Sequence, residues 1–159
     1  MGLQVVDLAQ CGEEARRQAA EILTEAFKVH WPDAWSTPEE ALAEVGEMLA
    51  PERIARAALE DGQVVGWIGG ISAYDGHVWE LHPLAVRPDR QGKGIGTLLV
   101  RDFEAQVQAR GGLTIQLGSD DEDAMTSLAG ADLYENLWEK IRAIQNFKRH
   151  PYTFYQKLG

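Results

Sequence analysis

The apolar positions of this chain alternate between two periods. Between Glu13 and Lys28, Ala15, Ala19, Ile22, Leu23 and Ala26 recur at helical spacing and predict a helix. Thr37-Pro38-Glu39-Glu40 reads as the start of a second helix: Thr37 as N-cap, Pro38 at the first helical position and Glu40 three residues after the cap. That helix is expected to run to about Leu49. Strand-like runs occupy Leu3 to Leu8, Arg53 to Glu60, Val64 to Ser72 and His77 to Val86. The last three are separated by Asp61-Gly62 and Asp75-Gly76, which favour tight hairpin turns and predict sequential antiparallel strands. Pro83 interrupts the last of them. It cannot donate to a ladder and so predicts a bulge or splayed edge, at which simple alternation from Glu80 to His82 is expected to fail. Leu98, Leu99, Phe103 and Val107 then give a helix from Thr97 to Arg110, ended by Gly111-Gly112. Leu113 to Leu117 is a short strand. The stretch from Gly118 to Arg149 opens on the acidic run Asp120-Asp121-Glu122-Asp123. Leu133, Leu137, Trp138, Ile141 and Ile144 suggest an amphipathic helix within it, and Pro151 to Leu158 a last short one. The order predicts an α/β fold with a mixed sheet.

Length and charge narrow the function. At 159 residues, without a Pro/Gly/Ser linker or a repeat, the chain is expected to be one domain. Fifteen basic against 25 acidic side chains give a formal charge of −10. That excludes a general nucleic-acid binder and an anionic membrane surface as partner, and it suits a cationic ligand. The single Cys11 excludes an internal disulfide framework and a cysteine-rich zinc site, and His30, His77, His82 and His150 show no metal-ligand spacing, so no metal is expected. The amino terminus lacks the pattern of a signal peptide, and the longest near-apolar stretch, Val64 to Ile71, is too short to span a bilayer; a cytoplasmic protein is expected.

The chemistry concentrates in the loop Arg87 to Gly96. Glycines at 92, 94 and 96 let the backbone curl so that N–H groups converge, and a helix begins where they end. Such a nest with a positive dipole end behind it suits a diphosphate. The loop is no Walker motif, and its glycines are out of register with a dinucleotide fingerprint. Gln91, Gly94 and Gly96 instead form Gln-x-x-Gly-x-Gly after a strand broken by proline. This resembles the GCN5-related N-acetyltransferase superfamily. Trp79-Glu80-Leu81-His82-Pro83-Leu84, Gly111 to Ile115, Gly118 to Asp121, Ile144-Gln145-Asn146 and His150 to Gly159, with Trp31-Pro32 and Pro51 to Ile54, are similar to the aminoglycoside 6'-N-acetyltransferases, in particular the enterococcal chromosomal type.

The resemblance implies a splayed strand pair in the mixed sheet and acetyl-CoA as co-substrate, with direct transfer to an amine in a ternary complex. It implies a small cationic acceptor, foremost the 6'-amine of an aminoglycoside, and a homodimer. A polyamine or a protein or peptide amine as acceptor, and a CoA-binding regulatory module without transfer, stand as alternatives. Cofactor contacts fall on Leu84, Ala85 and Val86 of the strand and on Gln91, Gly92, Lys93, Gly94, Ile95, Gly96 and Thr97 of the loop. Glu80 is the expected general base, with His82 as its rival. The backbone N–H of Leu84 would polarise the thioester carbonyl, and Tyr155 would protonate the leaving thiolate. Trp31, Glu80, His82, Asp120 and Asp121 are expected around the acceptor, Trp31 through cation–π contact. Trp35, Trp67 and Trp138 are expected in the core or an interface. The superfamily fold runs one or two strands beyond Lys157-Leu158-Gly159, so this chain is expected to lack its last strands or to have them supplied by a partner.

Overall fold

The computed structural model describes residues 2–118, 125–128, 131, 134–147 and 150–158. The chain divides into two compact units, Met1–Leu117 and Gly118–Gly159. The first contains β1 (Gln4–Asp7), α1 (Glu13–Phe27), α2 (Pro38–Met48), β2 (Ile54–Glu60), β3 (Gln63–Ala73), β4 (Val78–Val86), α3 (Ile95–Ala109) and β5 (Thr114–Gln116). The second contains α4 (Leu137–Arg142) and α5 (Tyr152–Leu158).

The five strands form one sheet in sequence order. The first three pairings are antiparallel and β4 with β5 is parallel. Successive residues of β3 face opposite sides. A Cβ at Gly66 or Gly70 would meet Leu99 or Phe103 of α3, whereas the Trp67 indole N–H donates to the carbonyl of Ala19 in α1 at 3.0 Å. Helices therefore cover both faces of the sheet. The core on the α1–α2 side is built on Leu8, Leu23, Val45, Met48 and Trp67, each at most 1% exposed. Trp67 is the core residue the sequence predicts.

Two local details set the site. Thr37 caps α2 by accepting from the N–H of Glu40 at 3.2 Å. Glu40 reaches back to the N–H of Ser36 at 3.1 Å, one residue before the cap, and the entry to α2 is fixed from both sides. Between β2 and α3, Arg56 grips Asp102 with both guanidinium arms at 2.7 and 3.2 Å.

Three boundaries differ from expectation. α3 starts at Ile95, two residues before Thr97, because Gly94 takes the left-handed conformation at its N-cap and turns the chain into the helix at once. β5 is confined to Thr114–Gln116, and Leu113 is 82% exposed. α4 begins only at Leu137, and Leu133 lies outside the described residues. Trp138, expected in the core or an interface, is 70% exposed and stands outside the core. Elsewhere in the second unit, the Asn146 side chain brackets the backbone of His150 by donating to its carbonyl and accepting from its N–H, at 2.9 and 2.7 Å.

Candidate active site

Proline at 83 produces the predicted irregularity. Ile68 pairs with Leu84 but Gly70 with Leu81, so β4 carries one extra residue opposite Gly69. The bulge fits only because position 69 is glycine. A Cβ there would collide with the carbonyl of His82 and stand 2.6 Å from the Met48 methyl. Contrary to expectation, alternation survives the bulge. Trp79, Leu81, Pro83 and Ala85 are buried, and Glu80, His82 and Leu84 form the less buried set.

On its other side β4 meets β5 only at Val78, Trp79 and Glu80. Glu80 is thus the last position with a strand neighbour on both sides: Ile71 across β3 and Gln116 across β5. From Leu81 to Val86 the two strands part. The N–H of Arg87 donates to the carbonyl of Val65 at 2.9 Å, toward β3. By alternation Ala85 points the same way, and Leu84 and Val86 turn their N–H groups to the open edge. The fork therefore has a carboxylate at its base and backbone donors along one arm.

The open edge leads into the glycine loop. Gly92 and Gly94 have φ of 74° and 86°, left-handed values that a side chain resists. Gln91 secures the loop by donating to the carbonyl of Val86 at 3.2 Å. The first intrahelical bond of α3 runs from Leu98 to Gly94 at 3.0 Å, so the N–H groups of Ile95, Gly96 and Thr97 precede the helical ladder and are available to an anion. Arg90 is tied to Glu60 at 3.1 Å and Arg87 to Asp89 at 2.6 Å. Lys93 makes no ion pair among the described residues. Open-edge donors continuing into a helix N-terminus fit an extended ligand that carries amides at one end and a diphosphate at the other.

Beyond Glu80 stands a group of acidic and aromatic side chains. His82 Nε2 is 3.0 Å from Glu44 Oε1, a residue of α2. This hydrogen bond raises the His82 imidazole above its ordinary 6.5 against the effect of burial, with Glu44 and Glu80 adding through their charge. It holds the Glu44 carboxyl below its ordinary 4.5, assisted by the Trp35 side chain. The rings of Trp35 and His82 are 5.6 Å apart. Phe27 packs edge-on against both Trp35 and Trp31 at 5.1 and 5.6 Å. Trp31 and His82 thus belong to one aromatic group with Trp35. Glu44 and Gly69 were not singled out from the sequence, and Trp35 was expected only in the core or an interface. The one signal for Glu44 is its place beside the inward face of α2, three residues after Ala41 and four before Met48.

Tyr155 lies in α5 of the second unit, its ring 5.1 Å from Phe154. Burial pushes its phenol up to about 12. Asp120 and Asp121 lie outside the described residues.

Residues 16–136 match the Acetyltransferase (GNAT) family. The chain belongs to this family. No curated protein sequence matches it. Among solved structures, the aminoglycoside 6'-N-acetyltransferase from Enterococcus faecium is 41% identical, with a TM-score of 0.84, over 100% of this chain and 84% of that one. An aminoglycoside 6'-N-acetyltransferase complexed with coenzyme A is 40% identical, with a TM-score of 0.88, over 98% of this chain and 83% of that one. A GNAT acetyltransferase from Brucella melitensis in complex with acetyl-CoA, 25% identical over 77% of this chain and 79% of that one, has a TM-score of 0.57. The mixed five-stranded sheet with helices on both faces is the GNAT fold expected from the sequence.

Proposed function

We propose that this GNAT protein transfers the acetyl group of acetyl-CoA to the 6'-amine of aminoglycosides, with residues 1–159 acting as one acetyltransferase domain. The fork at Glu80 carries the chemistry of this reading. Acetyl-CoA offers amide groups to the open edge of Leu84–Val86 and a diphosphate to the N–H groups behind Gly94, and Gln91, Gly92 and Lys93 complete the cradle. The acceptor amine meets Glu80 at the base of the fork. An ammonium is no nucleophile, so Glu80 takes its proton, directly or through water. The Leu84 N–H, aimed into the opening, donates to the thioester oxygen as negative charge develops there. Tyr155, whose raised pKa keeps it protonated at neutral pH, returns a proton to the departing thiolate. Trp31 offers an aromatic face to the cation, and Asp120 and Asp121 add carboxylates. The acceptor assignment is supported by 41% identity over the whole chain to the E. faecium enzyme. A homodimer belongs to the same reading, and sedimentation equilibrium reads it.

The test is an acceptor screen that follows release of the CoA thiol. Kanamycin and tobramycin should turn over well, and spermidine and a lysine-rich peptide poorly. A screen in which only the peptide or the polyamine releases thiol sinks the aminoglycoside reading. Silence toward every acceptor, with acetyl-CoA bound by calorimetry, favours a regulatory module. Glu80→Gln should lower kcat/KM by about 10²-fold or more, and Tyr155→Phe should lower kcat by about tenfold.

A further inference from the structure

The role of Glu80 leaves its neighbours on the acidic side of the fork unexplained. We propose that Glu44 is a positioning residue for acetyl transfer: it holds His82 by Nε2 on the face of β4 that carries Glu80, so that the charge on His82 governs how readily a cationic acceptor settles against Glu80. This inference rests on the acetyltransferase reading and adds to it a residue from another element.

The contact joins two separately built parts. Thr37 and Glu40 fix the start of α2, and Ala41, Val45 and Met48 bury its inner face. This leaves Glu44 at the edge of that face, its side chain only 18% exposed, 3.0 Å from His82 Nε2. On β4, Glu80 and His82 are two residues apart in the same less buried set. The Trp35 ring completes the enclosure at 5.6 Å, and its side chain hydrogen-bonds the same carboxylate. With Nε2 engaged by Glu44, Nδ1 is the ring nitrogen left for a second partner.

Among the described residues, the charged groups that act on His82 are Glu44 from α2, Glu80 from β4 itself and Arg53 from the turn before β2. Both carboxylates favour the imidazolium, and Arg53 and burial oppose it. An imidazolium two residues from Glu80 sets a positive charge against a cationic acceptor approaching that carboxylate. Loss of the proton from His82 lifts this restraint, so the acid limb of the kcat/KM profile follows the His82 titration, and Glu44 decides where that falls.

The experiment pairs two readouts on the full chain. The His82 imidazole resonance, assigned by its loss in His82→Gln, is titrated without acceptor. The pH profile of kcat/KM is then recorded with kanamycin. Glu44→Gln should lower the midpoint of the resonance by about one pH unit or more, Glu44→Asp should restore most of that shift, and the acid limb should move with the midpoint in each variant. An unchanged midpoint in Glu44→Gln overturns the proposal, as does a midpoint that moves while the limb stays. Should Glu44→Gln fail to fold, His82→Gln decides: the limb should disappear, and its persistence at the wild-type pH overturns the proposal. The imidazole titration needs no transfer. A wild-type chain inert toward aminoglycosides therefore refutes the acceptor reading and leaves the coupling of Glu44 to His82 to be judged by its midpoint.

Discussion

At the residue scale, the fork turns on a few ionisable groups whose neighbours come from different elements. Glu44 and His82 also link catalysis to stability. The folded His82 imidazole lies above its ordinary 6.5, so its contribution is fully present below that pH and is lost as pH rises through the raised folded value. Glu44 lies below its ordinary 4.5, so its contribution is present above that pH and is lost as pH falls through the lowered value. Both are in force between about pH 4.5 and 6.5. The melting temperature of Glu44→Gln should therefore fall short of wild type most at about pH 5.5, and the gap should shrink toward pH 8, as scanning calorimetry at matched ionic strength would read. A gap that widens with pH contradicts the ion pair. Tyr155 behaves in the opposite sense to a switch: with its phenol at about 12, it holds its proton throughout this range.

At the scale of elements, glycines allow close approaches and turns that side chains would prevent. Gly94, at φ 86°, sets the direction in which α3 leaves the loop, and nothing lies within 4 Å of a Cβ placed there. The obstacle is conformational. Gly94→Ala should cost about 1–2 kcal/mol and weaken acetyl-CoA binding about tenfold by calorimetry, with the rest of the fold intact. Gly69 is a case of crowding. Its Cβ would strike the His82 carbonyl and the Met48 methyl, so Gly69→Ala must move either the bulge or α2. Destabilisation of roughly 1–3 kcal/mol in urea titration is expected, with a larger fractional loss of kcat than of acetyl-CoA affinity, because the bulge carries His82 and leads to Leu84. Loss of cofactor affinity with kcat preserved would place the effect of Gly69 in the loop instead.

At the scale of the molecule, the net charge is −10; Arg87 and Arg90 of the loop are paired with Asp89 and Glu60, and Glu44 and Glu80 both act on His82 beside the fork. A polycationic acceptor is drawn to such a surface through its field. Raising salt from about 50 to 500 mM should lower kcat/KM for kanamycin several-fold through KM, while kcat changes little. A salt-independent KM would show that the acidity has no part in acceptor capture. The order of elements, the glycine loop and the proline irregularity were legible in the sequence, because each depends on neighbours along the chain: side-chain periodicity, the missing N–H of proline and the freedom of glycine at positive φ. Glu80 stood out only through the family resemblance. The bond between Glu44 and His82 was not legible, because 38 residues separate the partners. Their meeting depends on how α2 lies against β4, which the shared core at Val45, Met48 and Trp67 decides. The same is true of Gly69, which reads as an ordinary strand glycine until the bulge stands opposite it. Trp35 reads as a core tryptophan until Phe27 turns it toward His82. The sequence by itself determined the kind of fold and the chemistry its loop and strand could offer. Only the tertiary structure decided which side chains from distant segments share the fork with Glu80, because packing brings those segments together and local propensity does not.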